Sequence, residues 1–342
     1  MISNSLKKFY TKNTTGIFLV MLVLSCAVSA LIGAHLQKDK YRDFLSGFKV
    51  LRENSDKYNF INPLIGNLSS PATEVGIFSD IQEDIKDFLD EEKEKGNLYN
   101  YSFYFRDLNS GLWFGVNETE AFFPASLFKL PIAIAAYKQA ENDPDFLKKS
   151  FIYTADLARQ NQEIKSNADS ALQVGGSYTV DELIDIMLIN SDRLAVNLDK
   201  KYISDLFDIV SLTDPNNLRS YEVSSRKYAL FLRILYGSSY ISEDHSERIM
   251  KDLSKSTFKD GMVAGIPGMV KVAHKFGTYQ FEDVVNGVHL TAQQLHDCGI
   301  VYHPEKPYVF CFMTKGKDLD VLYNVISKVS AMVYSYQDME DH

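Results

Sequence analysis

The chain has 342 residues, 45% hydrophobic and 24% charged, enough apolar material for one large domain or two small ones. Its formal net charge of -9 excludes non-specific nucleic-acid binding, which draws on clustered Lys and Arg to displace counterions from phosphates. Only Cys298 and Cys311 lie beyond the N-terminal segment, too few for a disulfide scaffold.

In chain order, residues 1–15 read as a cytoplasmic tail carrying Lys7, Lys8 and Lys12. Residues 16–36 (GIFLVMLVLSCAVSALIGAHL) contain no Asp, Glu, Lys or Arg and are long enough to cross a bilayer as a helix. The preceding lysines keep their side cytoplasmic, so the rest of the chain is expected outside the cytoplasm, at a bacterial cell surface or in a periplasm. An uncleaved anchor ranks first. A cleaved signal peptide using Ala30 or Ala34 ranks second, and a lipoprotein processed at Cys26 third. Residues 37–75, ending in turn-rich NPLIGNLSSPAT, read as a spacer, and residues 76–342 as the functional domain.

The domain opens with a helical pattern that sets Ile77, Ile81, Ile85, Phe88 and Leu89 on one face, stopped near Gly96. YNYSFYFRDL, NSG and LWFGV then form a hairpin. Helical segments fill residues 122 to about 260. Strands return in MVKVAHKFGTY, VNGVHLTA, HDCGIVYH and YVFCFMTK, the last two joined through PEKP, and a helix closes the chain. Strands from both ends can thus share one mostly antiparallel sheet, flanked by helices and backed by an all-helical lobe. Cys298 and Cys311 fall on the two strands of the last hairpin. Free thiols packed as small hydrophobes are the expectation, a bridge between neighbouring strands the alternative.

Ser-x-x-Lys occurs five times, at Ser5, Ser46, Ser126, Ser224 and Ser256, and is weak evidence by itself. Only Lys129 lies in an apolar, helix-forming run, FFPASLFKLPIAIAAY; the others can be solvated. Pro131 places the helix start near Ser126, so Ser126 and Lys129 share a face one turn apart. Desolvation there favours a neutral amine able to accept a hydroxyl proton, and the helix N-terminus favours a developing oxyanion. The plainer reading is a capping serine beside a lysine whose head reaches solvent.

Two later motifs shift the balance. SLFK is followed by NSDR at a helix end and HKFGT on a strand, preceded by FKDGMVAGIP. In this order the chain resembles the penicillin-recognising serine hydrolases, comprising class A β-lactamases and D-Ala-D-Ala peptidases, from about Glu74 to its C-terminus. The resemblance implies an α/β (α+β) fold of the β-lactamase/DD-peptidase type, with Ser126 as acylated nucleophile and Lys129 as general base. Ser191 would carry a proton to the leaving nitrogen, and Lys275 would hold a substrate carboxylate. The N–H groups of Ser126 and Thr278 would form the oxyanion hole beside Gly277. The substrate would be a β-lactam or a peptidoglycan stem peptide, with neither metal nor other cofactor; nothing fixes an oligomeric state.

The chain departs from the family pattern in three ways. Arg193 replaces an Asn that normally bonds the substrate amide, and Phe276 replaces a small hydroxylated residue. No Glu-x-x-Leu-Asn lies between the second and third motifs, leaving Glu222 as the nearest candidate acid. Deacylation is therefore expected to be slow. A DD-carboxypeptidase or transpeptidase, or a non-catalytic adaptor binding cell-wall peptide, are the alternatives to a β-lactamase.

Overall fold

The computed structural model describes residues 50–52, 57–67, 76–162, 172–191, 198–213, 221–285 and 288–339, together with Met21, Leu24, Ser25, Val28 and Ser29. These last five, part of a separate N-terminal unit (residues 1–49), are helical and exposed. The rest of the expected anchor, 16–36, lies outside the described residues. No helix among the described residues is long and apolar enough to cross a membrane.

The second unit begins at Val50 with a short antiparallel pair, β1 (Val50–Arg52) and β2 (Leu64–Asn67). Helix α1 (Ser79–Glu94) buries Ile81, Ile85 and Leu89, as its periodicity requires, with Phe88 half-buried. The hairpin β3 (Leu98–Asp107) and β4 (Trp113–Val116) turns where Asp107 Oδ1 accepts from the N–H and hydroxyl of Ser110, and Gly111 takes φ +78°. Strand β5 (Ala121–Phe122) leads through a 3-10 turn (Ala125–Phe128) into α2 (Lys129–Asn142). Then follow β6 (Ser150–Ile152), α3 (Ala155–Gln162), β7 (Ser177–Thr179), α4 (Val180–Ile189), α5 (Lys200–Ile209), β8 (Val223–Ser224), α6 (Ser225–Tyr236) and α7 (Glu243–Ser254). Thr179 and Glu182 close a capping box on α4, and Ser224 and Ser242 cap α6 and α7.

Strands β9 (Val272–Val285), β10 (Val288–Val301) and β11 (Tyr308–Gly316), then α8 (Leu319–Met339), complete the chain. The two segments expected as separate strands, VNGVHLTA and HDCGIVYH, are one continuous β10, because its pairing with β9 runs unbroken from Val288↔Val285 to Val301↔Val272. The sheet order is β4-β3-β11-β10-β9, all antiparallel, so strands from both ends do meet, and β9 is an edge. One face carries Phe103, Phe105, Phe310 and Phe312 against the α1 and α8 side, where Phe78 meets Phe105 and Tyr336. The other carries Tyr104, Ala273, Cys298, Ile300, Cys311 and Met313 into one core with α2, α4, α6 and α7.

Two expectations change. Cys298 and Cys311 form a disulfide: they stand directly opposite each other on β10 and β11, with Cα atoms 3.9 Å apart. Opposed positions on one face bring side chains together whatever their sequence separation. Part of the 37–75 spacer is also fixed to the body. The N–H groups of Asn59 and Phe60 donate to Glu247, Tyr302 Oη donates to the Phe60 carbonyl, and Asn62 N–H donates to the Tyr236 carbonyl. Phe60 and Ile61 are buried there, Phe60 with its ring edge-on to Tyr302.

Candidate active site

The helix at the site starts later than its serine suggests. Lys129 is the first residue of α2, Pro131 falls in the first turn where a missing N–H costs least, and Ser126 occupies the 3-10 turn before it. Ser126 caps nothing. Its Oγ instead accepts a hydrogen bond from Lys129 Nζ at 2.9 Å. The turn requires φ +49° at Ala125, a conformation that L-residues with a Cβ avoid and that persists only where the surroundings impose it.

Ser191 comes from the other side of the lobe. It follows Asn190, the C-cap of α4, and takes φ +61°, the left-handed conformation that ends many helices and that Gly usually supplies. The sharp exit presents both its oxygens to one amine: Lys129 Nζ donates to the Ser191 carbonyl at 2.5 Å and to its Oγ at 3.2 Å. Lys129 thus stands between the two hydroxyls. An ammonium has three protons to give, and the three described oxygens, Ser126 Oγ, Ser191 O and Ser191 Oγ, all lie within its reach. A neutral amine would keep two donors for Ser191 and turn its lone pair toward Ser126.

The third wall is the edge strand β9. A Cβ on Gly277 would lie 2.9 Å from Ser126 N and 3.2 Å from Leu127 N, so only glycine lets β9 approach the turn this closely. Thr278 follows it, and Lys275 stands two residues before it on the same face. Lys275 is 1% exposed, on the helical-lobe face opposite Cys298, with Nζ donating to the Phe276 carbonyl at 3.3 Å and lying 4.8 Å from the Phe276 ring centroid. The Phe276 ring itself stacks on Phe258 at 4.1 Å. An aromatic pair therefore occupies the surroundings of Lys275 where the sequence pattern anticipates a small hydroxyl.

Of the residues singled out from sequence, Ser126, Lys129 and Ser191 are joined by hydrogen bonds, and Gly277, followed by Thr278 and with Lys275 two residues before it on the same face, abuts the Ser126 turn. Arg193 lies outside the described residues. Glu222 is exposed at the start of β8, and residues 214–220 before it lie outside the described residues. Among the described residues no group of His, Cys, Asp and Glu could hold a metal ion.

Three contributors were not singled out. Tyr228, fully buried on α6, donates its hydroxyl to the Leu127 carbonyl at 2.9 Å and so ties down the nucleophile turn; burial, then the charge of Asp297, raises its pKa well above the usual phenol value. Phe258 forms the stack. His296 reaches the same turn from β10. Tyr228 sits in an ordinary mixed run, whereas Phe258 opens FKDGMVAGIP and His296 opens HDCGIVY, two strings that carried the family resemblance without marking either residue.

The model of the beta-lactamase enzyme family matches residues 80–337. The chain belongs to the beta-lactamase enzyme family. Solved structures repeat its architecture at low identity. A mutant of PBP-A in an acyl-enzyme complex with penicillin-G is 21% identical, with a TM-score of 0.61 over 76% of this chain and 97% of that one. PBP-A itself is 22% identical, with a TM-score of 0.59 over the same shares. A beta-lactamase from Burkholderia phymatum is 17% identical, with a TM-score of 0.59 over 75% of this chain and 98% of its own. No curated protein matches. The beta-lactamase family fold thus accounts for the sheet and the helical lobe.

Proposed function

We propose that the protein is a membrane-anchored, extracytoplasmic serine acyl-transfer hydrolase that opens an amide of the β-lactam or D-Ala-D-Ala type. The observation that carries this reading is the position of Lys129 Nζ, within hydrogen-bond distance of both Ser126 Oγ and Ser191 Oγ. Lys129, as the neutral amine, takes the proton of Ser126 while Oγ attacks the substrate carbonyl. The oxyanion is held by the N–H groups of Ser126 and Thr278, the former at the N-terminal end of α2. As the C–N bond breaks, Ser191 Oγ passes a proton to the leaving nitrogen and recovers one from Lys129. Water then hydrolyses the ester at Ser126, with the proton transfers reversed.

Lys275 supplies the positive potential for a substrate carboxylate, with the Phe276 ring as its neighbour. Export is supported by the uncharged 16–36 segment behind three lysines, and a cross-strand disulfide suits an oxidising compartment. The exposure of Glu222 favours slow deacylation, and hence a penicillin-binding peptidase over an efficient β-lactamase.

Fluorescent penicillin tests this. Native protein should be labelled covalently and hold the label, Ser126→Ala should abolish labelling, and Lys129→Ala should slow it at least about a hundredfold, the scale of a lost general base. Label that is shed quickly with loss of drug would make the protein a β-lactamase. No label on native protein would sink the catalytic reading in favour of a peptide-binding adaptor.

A further inference from the structure

His296 is completely buried in the middle of β10, opposite Gly277 on β9 and Met313 on β11. Both ring nitrogens are engaged. Thr314 N–H lies 3.2 Å from Nδ1, so Nδ1 must be the unprotonated, accepting nitrogen. The ring proton of a neutral imidazole then sits on Nε2, which lies 3.0 Å from the Phe123 carbonyl and 3.2 Å from Gln294 Oε1. Phe122 meets the ring edge-on at 5.5 Å.

These contacts reach both walls of the oxyanion site. The Phe123 carbonyl opens the turn that runs through Pro124 and the positive φ of Ala125 to Ser126. Gly277, the cross-strand partner of His296, is the residue whose backbone presses on Ser126 N. The unusual Ala125 conformation has to be imposed from outside. Among the described residues, the hydrogen bonds that hold this turn include the Leu127 N–H to the Pro124 carbonyl, the Tyr228 hydroxyl to the Leu127 carbonyl, and the His296 ring to the Phe123 carbonyl.

We propose that His296 is a positioning residue: as a neutral imidazole with Nε2–H on the Phe123 carbonyl, it sets the turn that aims the Ser126 hydroxyl and N–H, and protonation at Nδ1 releases that turn. An imidazolium would confront the Thr314 N–H with a second donor, so proton uptake must break that bond or move the ring. Among the described side chains, the charged and titratable groups on the same sheet face are Lys275 and Tyr279 on β9, Lys315 on β11, and Tyr104 and Arg106 on β3, with Tyr228 on α6; the cations among them oppose imidazolium formation. Asp297, the neighbouring carboxylate, points to the other face, where it pairs with His274. Burial pushes the His296 pKa down to about 4, against a smaller upward pull from the Phe123 and Leu295 carbonyls.

The kinetic consequence rests on the serine acyl-transfer reading; the geometric one does not, and the test separates them. In the full chain, ring-nitrogen NMR at pH 7 should report a pyrrole-type Nε2 and a pyridine-type Nδ1 for His296; a proton on Nδ1 would overturn the assignment without any mutation. Hydrogen exchange of the 122–128 segment, corrected for intrinsic rates, should rise about tenfold or more in His296→Ala and stay near native in His296→Gln. The Gln amide can donate to Phe123 and accept from Thr314. Lowering the pH through 4 should raise exchange in native protein toward the Ala level, and not in His296→Gln. Acylation by fluorescent penicillin should fall roughly ten- to a hundredfold in His296→Ala at nearly unchanged apparent affinity, as misplacement of a nucleophile predicts, with recovery in His296→Gln. Equal exchange in all three proteins, or equal loss in both variants, would refute the positioning role. Absent acylation in native protein would instead refute the hydrolase reading and leave the exchange arm to decide.

Discussion

A single ammonium in an apolar run is expensive unless something nearby makes use of it. At Lys129 the use is geometric: two serines, 65 residues apart in number, are brought to one nitrogen at 2.9 and 3.2 Å. The cost of that convergence appears in the backbone, with positive φ at Ala125 and Ser191 beside the two hydroxyls. Residue chemistry also marks where this chain differs from its family's pattern. The Phe276 ring, stacked on Phe258, stands 4.8 Å from the Lys275 ammonium and offers it a π face in place of a hydroxyl. Phe276→Thr should therefore raise the second-order rate of acylation by a carboxylate-bearing penicillin several-fold to about tenfold, about 1 kcal/mol being the typical worth of one hydrogen bond. An unchanged rate would show that the ring does not limit access to Lys275. His296 carries the pH dependence. Its folded pKa lies below its unfolded value, so the unfolded chain binds more protons in the window between them. Stability should accordingly be full above about pH 6.5 and decline as pH falls toward 4, and His296→Gln should flatten that part of the urea-unfolding profile.

At the scale of elements, local signals and tertiary ones separate cleanly. The amphipathic period of α1 is a short-range fact and was legible; the capping box of α4 and the serine caps of α6 and α7 are equally local, though they were not singled out from sequence. The continuity of β10 was not legible, because the 293–295 segment reads as a break and becomes strand only through its partners on both sides. The strap at residues 57–63 was equally hidden. Its sequence has the composition of a linker, and what fixes it is Glu247, 187 residues from Phe60, accepting two successive backbone N–H groups at 2.8 and 2.9 Å. Glu247→Ala should cost about 1–2 kcal/mol, the range of charged hydrogen bonds discounted for partial exposure, and should speed exchange at Asn59 and Phe60 first. A melting temperature and strap exchange both at native values would mean the strap is held by Phe60 and Ile61 packing alone.

The whole molecule adds the cross-link. Cys298 and Cys311 close a segment of sequence separation 13 in the core between the sheet and the helical lobe, with Cys298 opposite Lys275. Reduction, or Cys298→Ala with Cys311→Ala, should lower unfolding free energy by about 2–4 kcal/mol in urea titrations. A reduced protein of native stability would show that core packing holds the hairpin without the bond. By itself the sequence determined the three motifs, their order, their supporting elements and the meeting of N- and C-terminal strands in one sheet. Those rest on periodicity, caps and residue type, which act over a few residues. The tertiary structure alone decided that Lys129 faces both hydroxyls, that an aromatic ring neighbours Lys275, that the two cysteines meet, and that a buried histidine grips the nucleophile turn. Each depends on strand register and helix packing, which bring together atoms tens to hundreds of residues apart and leave no local pattern to read.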